Sequence, residues 1–303
     1  MERPIHLLDA VPYLRAYAGQ TFVIKLGGEL IGDATRLATV ARDIAVLHRL
    51  AIGVVVVHGG GPQLDAMTQR MGLPIERVAG RRITSPEVLE AAKMVFRGQL
   101  SLDLVSALVR QGERAAGLSG VDGTTVLAAR RPEALVTDDD GTRRTVDFGE
   151  VGDIVSIDTE LLVSSLAAGT IPVVSPLGVC SDGRIVNVNA DTMAAAIAVA
   201  LDAEKLLLLT RAPGVLADVD DPSTLLHWAD LEQLDELEAK GAFKAGMRPK
   251  IAAVRKALEG GVPRVHVLDG RRDGALLEEV FTTEGCGTLV VSEADGAPAE
   301  PLA

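Results

Sequence analysis

Aromatic residues are scarce in this chain, with one Trp, two Tyr and five Phe among 303 positions. The core must therefore be aliphatic, and a surface for stacking nucleobases is not expected. Cysteine is scarcer still. Cys180 and Cys286 lie far apart, outside any C-x-x-C or Cys/His cluster, which argues against structural zinc and for a reducing compartment. Basic charge is in deficit: 30 Lys and Arg face 42 Asp and Glu, a formal net charge of −12 that opposes nucleic acid and anionic membranes. No apolar run approaches the ~20 residues of a membrane span. The start, Met-Glu-Arg-Pro-Ile-His, lacks a signal-peptide apolar region, so a cytoplasmic protein is expected. Apolar residues at 48% and charged residues at 24% describe an ordinary globular chain, long enough for one large α/β domain or two lobes.

The most informative stretch is Val54–Pro62, Val-Val-Val-Val-His-Gly-Gly-Gly-Pro. Four β-branched residues in a row suit a strand buried on both faces of a parallel sheet. Three glycines follow, and Pro62 suits the first turn of a helix carrying Leu64, Met67 and Met71 on one face. Strand, glycine turn and helix N-terminus together make an anion site, because glycine lets backbone N–H groups approach a ligand. A tight turn alone would need only one glycine. Neither G-x-x-x-x-G-K-[ST] nor G-x-G-x-x-G is present here.

Residues 5–18 read as a short amphipathic helix with Leu7, Leu8, Val11, Leu14 and Tyr17 on one face, kinked or interrupted at Pro12. It could dock on its own domain or pack as an arm on another subunit. Thr21–Gly28 is a strand closed by Lys25 and two glycines. A lysine ending a buried strand is costly unless it meets an anion at the carboxyl edge of the sheet, the surface being the alternative. A helix over 33–50 then leads to the Val54 strand, a strand–helix–strand unit with a right-handed crossover. Ser85 caps a helix over 86–97, and a second helix covers 101–111. Asp138–Arg144 is a turn inside a hairpin. Strands are expected at 171–176, 205–210, 265–268 and 288–291, with helices over 161–168, 192–201, 231–240 and 251–259. Asn187, Asn189 and Asp191 crowd one helix start, where one cap would suffice, so a site is indicated. Lys250 opposes the dipole of the helix it begins, unless it is simply exposed at a cost of a few tenths of a kcal/mol. The alternation along the chain describes an α/β protein with a mainly parallel sheet and no internal repeat.

Ile24-Lys-Leu-Gly-Gly28, Val57-His-Gly-Gly-Gly-Pro62, Gly80-Arg-Arg-Ile-Thr84, Asn187-Val-Asn-Ala-Asp191 and Gly246-Met-Arg-Pro-Lys250, in this order, resemble the amino acid kinase family, most narrowly its acetylglutamate branch. The resemblance covers residues 7–291. It implies a three-layer sandwich in two lobes: 19–178 for the amino acid and 179–292 for ATP, preceded by an oligomerisation helix (1–18) and followed by a flexible tail (293–303). It implies transfer of the ATP γ-phosphoryl group to the side-chain carboxylate of N-acetylglutamate, with Mg²⁺ carried by ATP rather than by a protein metal site. Lys25 and Lys250 would contact the phosphoryl group and Asp191 would orient both. Gly59, Gly60, Arg82 and Asn187 would bind the amino acid; Gly27, Gly28, Thr210 and Gly214 would bind ATP and its phosphates.

The first helix resembles that of arginine-inhibited hexamers built as trimers of dimers. Their arginine site would correspond to Tyr13, Lys205, His266, Glu279 and Gly287, although a family histidine is replaced by Gly274. A PII-type regulator is compatible with the resemblance but no residue supports one. Arg211 stands where the family has aspartate, Val121 where lysine is common, and Ala245 for the first glycine of Gly-Gly-Met. Two alternatives stay open: a kinase for a carrier-linked or differently acylated glutamate or aminoadipate, and a catalytically weak arginine-sensing protein.

Overall fold

A computed structural model describes residues 7–137, 142–243 and 246–293 of the chain. The apolar runs form one eight-stranded sheet: β1 (Thr21–Leu26), β2 (Gly53–His58), β3 (Ala115–Ser119), β4 (Ile171–Ser175), β5 (Lys205–Thr210), β6 (Trp228–Asp230), β7 (Arg264–Asp269) and β8 (Thr288–Val291). Their order in space is β6-β8-β7-β5-β1-β2-β4-β3. β8 is antiparallel to β7 and carries β6 parallel to itself; every other neighbouring pair is parallel. The helices are α1 (Leu7–Tyr17), α2 (Gly28–Ile31), α3 (Ala34–Arg49), α4 (Gly61–Arg70), α5 (Pro86–Lys93), α6 (Ser101–Arg110), α7 (Glu160–Ala167), α8 (Ala190–Ala200), α9 (Leu231–Ala239), α10 (Arg248–Glu259) and α11 (Ala275–Phe281).

Side chains alternate across the sheet as a two-residue period requires. Phe22, Ile24 and Leu26 of β1 pack with α3, α5, α6 and α11. Val23 packs on the opposite face with α8, α9 and α10. The result is the expected three-layer α/β sandwich, with a core of Leu, Val, Ile and Ala. A smaller sheet of Val126–Arg130, Gly152–Ile157, Leu177–Val179 and Ile185–Asn187 adds Val126, Ala128 and Val186 to the second face. Residues before 179 supply β1–β4 and later ones supply β5–β8. The two sets join where β1 pairs with β5.

Four local expectations are corrected. The helices expected over 86–97 and 101–111 are not separate: a π-helical stretch, Met94–Leu100, joins α5 to α6 in one rod. Pro12 does not interrupt α1, because the carbonyl it leaves unpaired is that of Leu8, in the first turn, where water can reach it. Met71 leaves the buried face of Leu64 and ends α4 at 43% exposure, since the helix stops one residue earlier. The face assigned to α1 is divided: Ala10 and Tyr17 are buried in the chain's own core, whereas Leu8 is 83% exposed. The expected turn at 138–144 lies largely outside the described residues, but its flanks pair as the antiparallel hairpin Ala134–Thr137 with Arg143–Val146. Positions 1–6, Ala245 and the tail from 294 also lie outside them.

Gly149 ties two site segments together. Its φ is +71°, and a Cβ there would collide with the backbone carbonyl of Thr84. The next residue donates its N–H to the Thr84 carbonyl at 2.7 Å, and the Glu150 carbonyl accepts from Asn187 N–H at 2.8 Å. Gly149→Ala should therefore destabilise the protein by about 1–3 kcal/mol, measured as a lowered urea midpoint; an unchanged midpoint would refute this reading.

Candidate active site

The carboxyl edge of the parallel strands collects the chemistry-bearing residues. β1 ends in Lys25-Leu26 and turns through Gly27 and Gly28 into α2; its neighbour β2 ends in His58 and turns through Gly59 and Gly60 into α4. The two turns touch. A Cβ on Gly28 would lie 2.8 Å from Gly60 Cα, and one on Gly60 would lie 2.7 Å from Phe96 Cε1. Only glycine fits either place. Gly28 and Gly60 are buried, and neither backbone N–H has a partner among the described residues. Buried donors without partners are rare, and two side by side mark a place for an acceptor. Neither helix start has a side-chain cap.

Across this cleft Lys25 Nζ stands 2.8 Å from Asp191 Oδ1, and Lys250 Nζ stands 3.4 Å from Asp191 Oδ2. Asp191 lies in the first turn of α8, where the helix dipole favours an anion, and Asn189 caps that helix by accepting from Thr192 N–H at 2.9 Å. Burial would raise the Asp191 carboxyl, but the two ammonium charges outweigh it and hold the group below the usual carboxylate range. Asp191 is thus ionised at neutral pH with both oxygens engaged. Lys250 sits in the first turn of α10. The trio carries two positive charges and one negative.

Arg82 is half-buried on the β2 side, with its side chain 8% exposed. Its Nη2 donates to Asp65 Oδ1 at 2.5 Å and to the Gly61 carbonyl at 3.3 Å, and Nη1 is buried without a partner among the described residues. Burial lowers its basicity against the pull of Asp65. A guanidinium with one face held and the other unsatisfied is arranged for an incoming carboxylate. Asn187 Nδ2 donates to Thr84 Oγ1 at 3.2 Å, so the Gly80–Thr84 and Asn187–Asp191 motifs meet. On the far side, Thr210 Oγ1 accepts from Ala212 N–H at 2.9 Å. Gly214 presses on Thr288, which by itself accounts for a glycine there. Arg211 is exposed, and its carbonyl accepts from Arg271 Nη2 at 2.7 Å.

A second cluster lies away from this cleft, at the other end of β5. Lys205 Nζ is 3.1 Å from His266 Nε2, and His266 Nδ1 is 2.7 Å from Glu279 Oε1. Glu279 Oε2 accepts from the N–H groups of Cys286 and Gly287, both at 2.7 Å. Lys205 Nζ lies 4.8 Å from the Tyr17 ring centroid, and the Tyr17 and Tyr13 rings lie 6.1 Å apart, tilted by 35°. The residues assigned to an arginine site are therefore contiguous and, apart from Tyr13 and Gly287, centred on three buried charged or imidazole groups. Burial pulls Lys205 down to about 7 and His266 to about 4; Glu279, despite burial, is held at about 2 by His266 and the two backbone donors.

Sequence reasoning brought Lys25, Lys250, Asp191, the glycines, Arg82 and Asn187 to one cleft. It passed over Asp65, which anchors Arg82, and Gln63, whose Nε2 donates to the Gly28 carbonyl at 2.7 Å. Both sit in the first turns of α4, directly after the glycine run, and that position was the available signal.

A parallel α/β sheet whose carboxyl edge presents paired lysines and open backbone donors defines a phosphate-handling protein. The chain belongs to the amino acid kinase family, whose model matches residues 20–269. It is 47% identical over 294 residues to the acetylglutamate kinase of Myxococcus xanthus (strain DK1622), covering 97% of this chain and 96% of that one. It is 43% identical over 291 residues to the acetylglutamate kinase of Symbiobacterium thermophilum (strain DSM 24528), covering 96% and 98%. Among solved structures, N-acetylglutamate synthase from Neisseria gonorrhoeae, complexed with coenzyme A and N-acetyl-glutamate, superposes with a TM-score of 0.81 at 32% identity. That match covers 95% of this chain and spans 63% of the synthase's length. Giardia carbamate kinase, at 18% identity and a TM-score of 0.66 over 91% of this chain and all of that one, shares the fold. No helix among the described residues is long and apolar enough to cross a membrane.

Replacing Asp191 by Asn leaves two ammonium groups facing each other with no counter-charge. The expected loss is about 3 kcal/mol of unfolding free energy. Because the native carboxyl is depressed, its stabilisation is present above the unfolded carboxylate value, about 4, and is lost as pH falls toward the native value. Asp191→Asn should therefore flatten the acid side of the stability profile, followed by urea unfolding from pH 7 to pH 3. A profile parallel to the parent's would refute the assignment.

Proposed function

We infer that the chain is an acetylglutamate kinase, transferring the γ-phosphoryl group of ATP to the side-chain carboxylate of N-acetyl-L-glutamate, a step of arginine biosynthesis. The observation that carries this is the Lys25–Asp191–Lys250 bridge opposite the buried Gly28 and Gly60 N–H groups, which have no partner among the described residues, in a chain similar over nearly its whole length to acetylglutamate kinases. Transfer joins a carboxylate oxygen to the γ-phosphorus and breaks the bond to the β–γ bridging oxygen, leaving an acyl phosphate and ADP. The carboxylate is already ionised at neutral pH, so no general base is required. What the reaction needs is alignment and positive charge around the phosphoryl oxygens. Lys25 and Lys250 supply that charge from two sides, Asp191 keeps both ammonium groups in place, and the N–H groups of Gly28 and Gly60 supply fixed donors.

Arg82 would take the α-carboxylate on its open Nη1 side, and Asn187 the acylated amino group. Gly27, Thr210 and Gly214 would face the nucleotide. Asp191 has both oxygens occupied by lysines, and no cluster of three His, Cys, Asp or Glu that could hold a metal occurs among the described residues. That donor set suits a Mg²⁺ carried on the ATP phosphates, where it shields their charge. Residues 19–178 would form the amino acid lobe and 179–292 the ATP lobe.

ADP release should be fastest with N-acetylglutamate when it is compared with N-succinylglutamate and N-acetylaminoadipate. A preference for either of the others would overturn the substrate. Lys250→Ala should lower kcat by about 10²–10³-fold with a smaller change in KM. A loss within about threefold would move Lys250 out of the reaction.

The assembly we propose is a hexamer, a trimer of dimers, linked through α1. Tyr17 and Ala10 hold the helix to its own core, and the exposed Leu8 is left for the same helix of a neighbouring dimer. Leu8→Glu adds charge where no packing within the chain is lost. Light scattering should show the parent as a hexamer and the variant as a dimer of undiminished kcat; a dimeric parent or a hexameric variant would refute the link. The Tyr13–Lys205–His266–Glu279–Gly287 cluster remains the proposed arginine site, reached only by opening its buried hydrogen bonds.

A further inference from the structure

His58 closes β2 directly before the glycine turn, is wholly buried, and has no part in the chemistry assigned above. Burial lowers its basicity to about 4, so the ring is neutral and carries one N–H at neutral pH. Nδ1 lies 3.0 Å from the Gly59 carbonyl. A carbonyl only accepts, so Nδ1 carries the hydrogen and Nε2 must accept. Its partner is Ser175 Oγ at 3.0 Å, at the end of β4, the strand beside β2. The Ser175 oxygen also lies 3.3 Å from the Phe96 carbonyl in the π-helical stretch. The hydroxyl hydrogen is drawn to both, and the neutral ring needs it at Nε2.

The consequence lies one peptide further on. In a trans peptide the C=O and the following N–H point in opposite directions. Turning the Gly59 carbonyl onto His58 therefore turns the Gly60 N–H away from the ring. That nitrogen lies 3.1 Å from where a Gly28 Cβ would stand, in the gap between the two glycine turns. A peptide between two glycines is the easiest kind to flip, because neither flank has a Cβ to resist rotation. Flipped, it would present a carbonyl oxygen where the reaction develops negative charge.

We propose that His58, oriented by Ser175, is a positioning residue that locks the Gly59–Gly60 peptide with its N–H facing the transferring phosphoryl group. This rests on the phosphoryl transfer proposed above. Asparagine can place an amide donor where Nδ1 stands, whereas glutamine carries its amide one carbon further, toward Nε2. ADP release is measured for the parent, His58→Asn, His58→Gln and Ser175→Ala, each checked for parent-like thermal unfolding. The expected kcat is within about fivefold of the parent for His58→Asn and about 10²-fold lower for His58→Gln, with KM for ATP and N-acetylglutamate unchanged in both. Ser175→Ala, which leaves Nε2 without its partner and loosens the ring's hold on the Gly59 carbonyl, should lower kcat about tenfold, and it carries the test if His58→Gln does not fold. Equal kcat for the two amide variants, a loss confined to KM, or a Ser175→Ala variant as fast as the parent would overturn the role of His58. A parent that forms no ADP with N-acetylglutamate would instead overturn the reaction itself.

Discussion

One buried carboxylate governs the arrangement of this molecule. Asp191 is removed from water at the start of α8 and can remain charged there only because Lys25 and Lys250 converge on it. Those lysines come from the first strand and from a helix more than two hundred residues later. Satisfying Asp191 therefore fixes α8 and α10 against the end of β1. It also leaves a surplus positive charge beside the Gly28 and Gly60 N–H groups and the open nitrogen of Arg82. Gln63 Oε1, against the Gly28 turn, is a buried acceptor without a partner among the described residues, but the two glycine N–H groups and Arg82 Nη1 are all donors. A cleft rich in donors, with the carboxylates of Asp191 and Asp65 already engaged by lysines and arginines, selects for anions.

The donors stay in place because backbone meets backbone. Gly28 and Gly60 touch where a Cβ on either would collide, and Gly60 is backed by Phe96 and Leu100 of the π-helical stretch. Widening the helix there leaves the Phe96 carbonyl accepting from Ser101 N–H and also within reach of Ser175. The same short segment thus supports the glycine turn from behind and touches the hydrogen bonds that end at His58. π-Helical turns commonly occur at functional sites, and here the local distortion has a definite partner.

The Lys205–His266–Glu279 cluster is a useful contrast. Its carboxylate accepts from a histidine and two backbone N–H groups, and its lysine rests on an aromatic face. Its imidazole and carboxylate are engaged with one another and with backbone donors, whereas the cleft keeps three donors without partners among the described residues. The cluster also explains why α1 is anchored: Tyr17 covers the cluster's lysine while Tyr13 reaches Thr283 at 3.2 Å.

Much of this was legible in the residues themselves. Unbroken apolar runs such as Val54–Val57 and Leu206–Leu209 marked strands buried on both faces, because a parallel sheet covered by helices leaves no polar side. Ser85 and the Asn187–Asp191 cluster announced helix starts through capping chemistry that is local in sequence. Lys25 and Lys250 stood out because each is costly where it lies without an anion. The tertiary structure decided what local signals cannot carry. Residues 98–100 read as a gap between two helices, yet the chain stays helical through Met94–Leu100, whose Phe96 and Leu100 lie against Gly60. The stripe of α1 reads as one face, yet Tyr17 and Ala10 turn inward while Leu8 remains outside. The open nitrogen of Arg82 exists only because Asp65, seventeen residues earlier in the chain, holds the other side of its guanidinium. Propensity, capping and hydrophobic period act over a few residues and are written in the sequence; which donors remain unpaired depends on contacts between distant segments, and only the folded chain determines them.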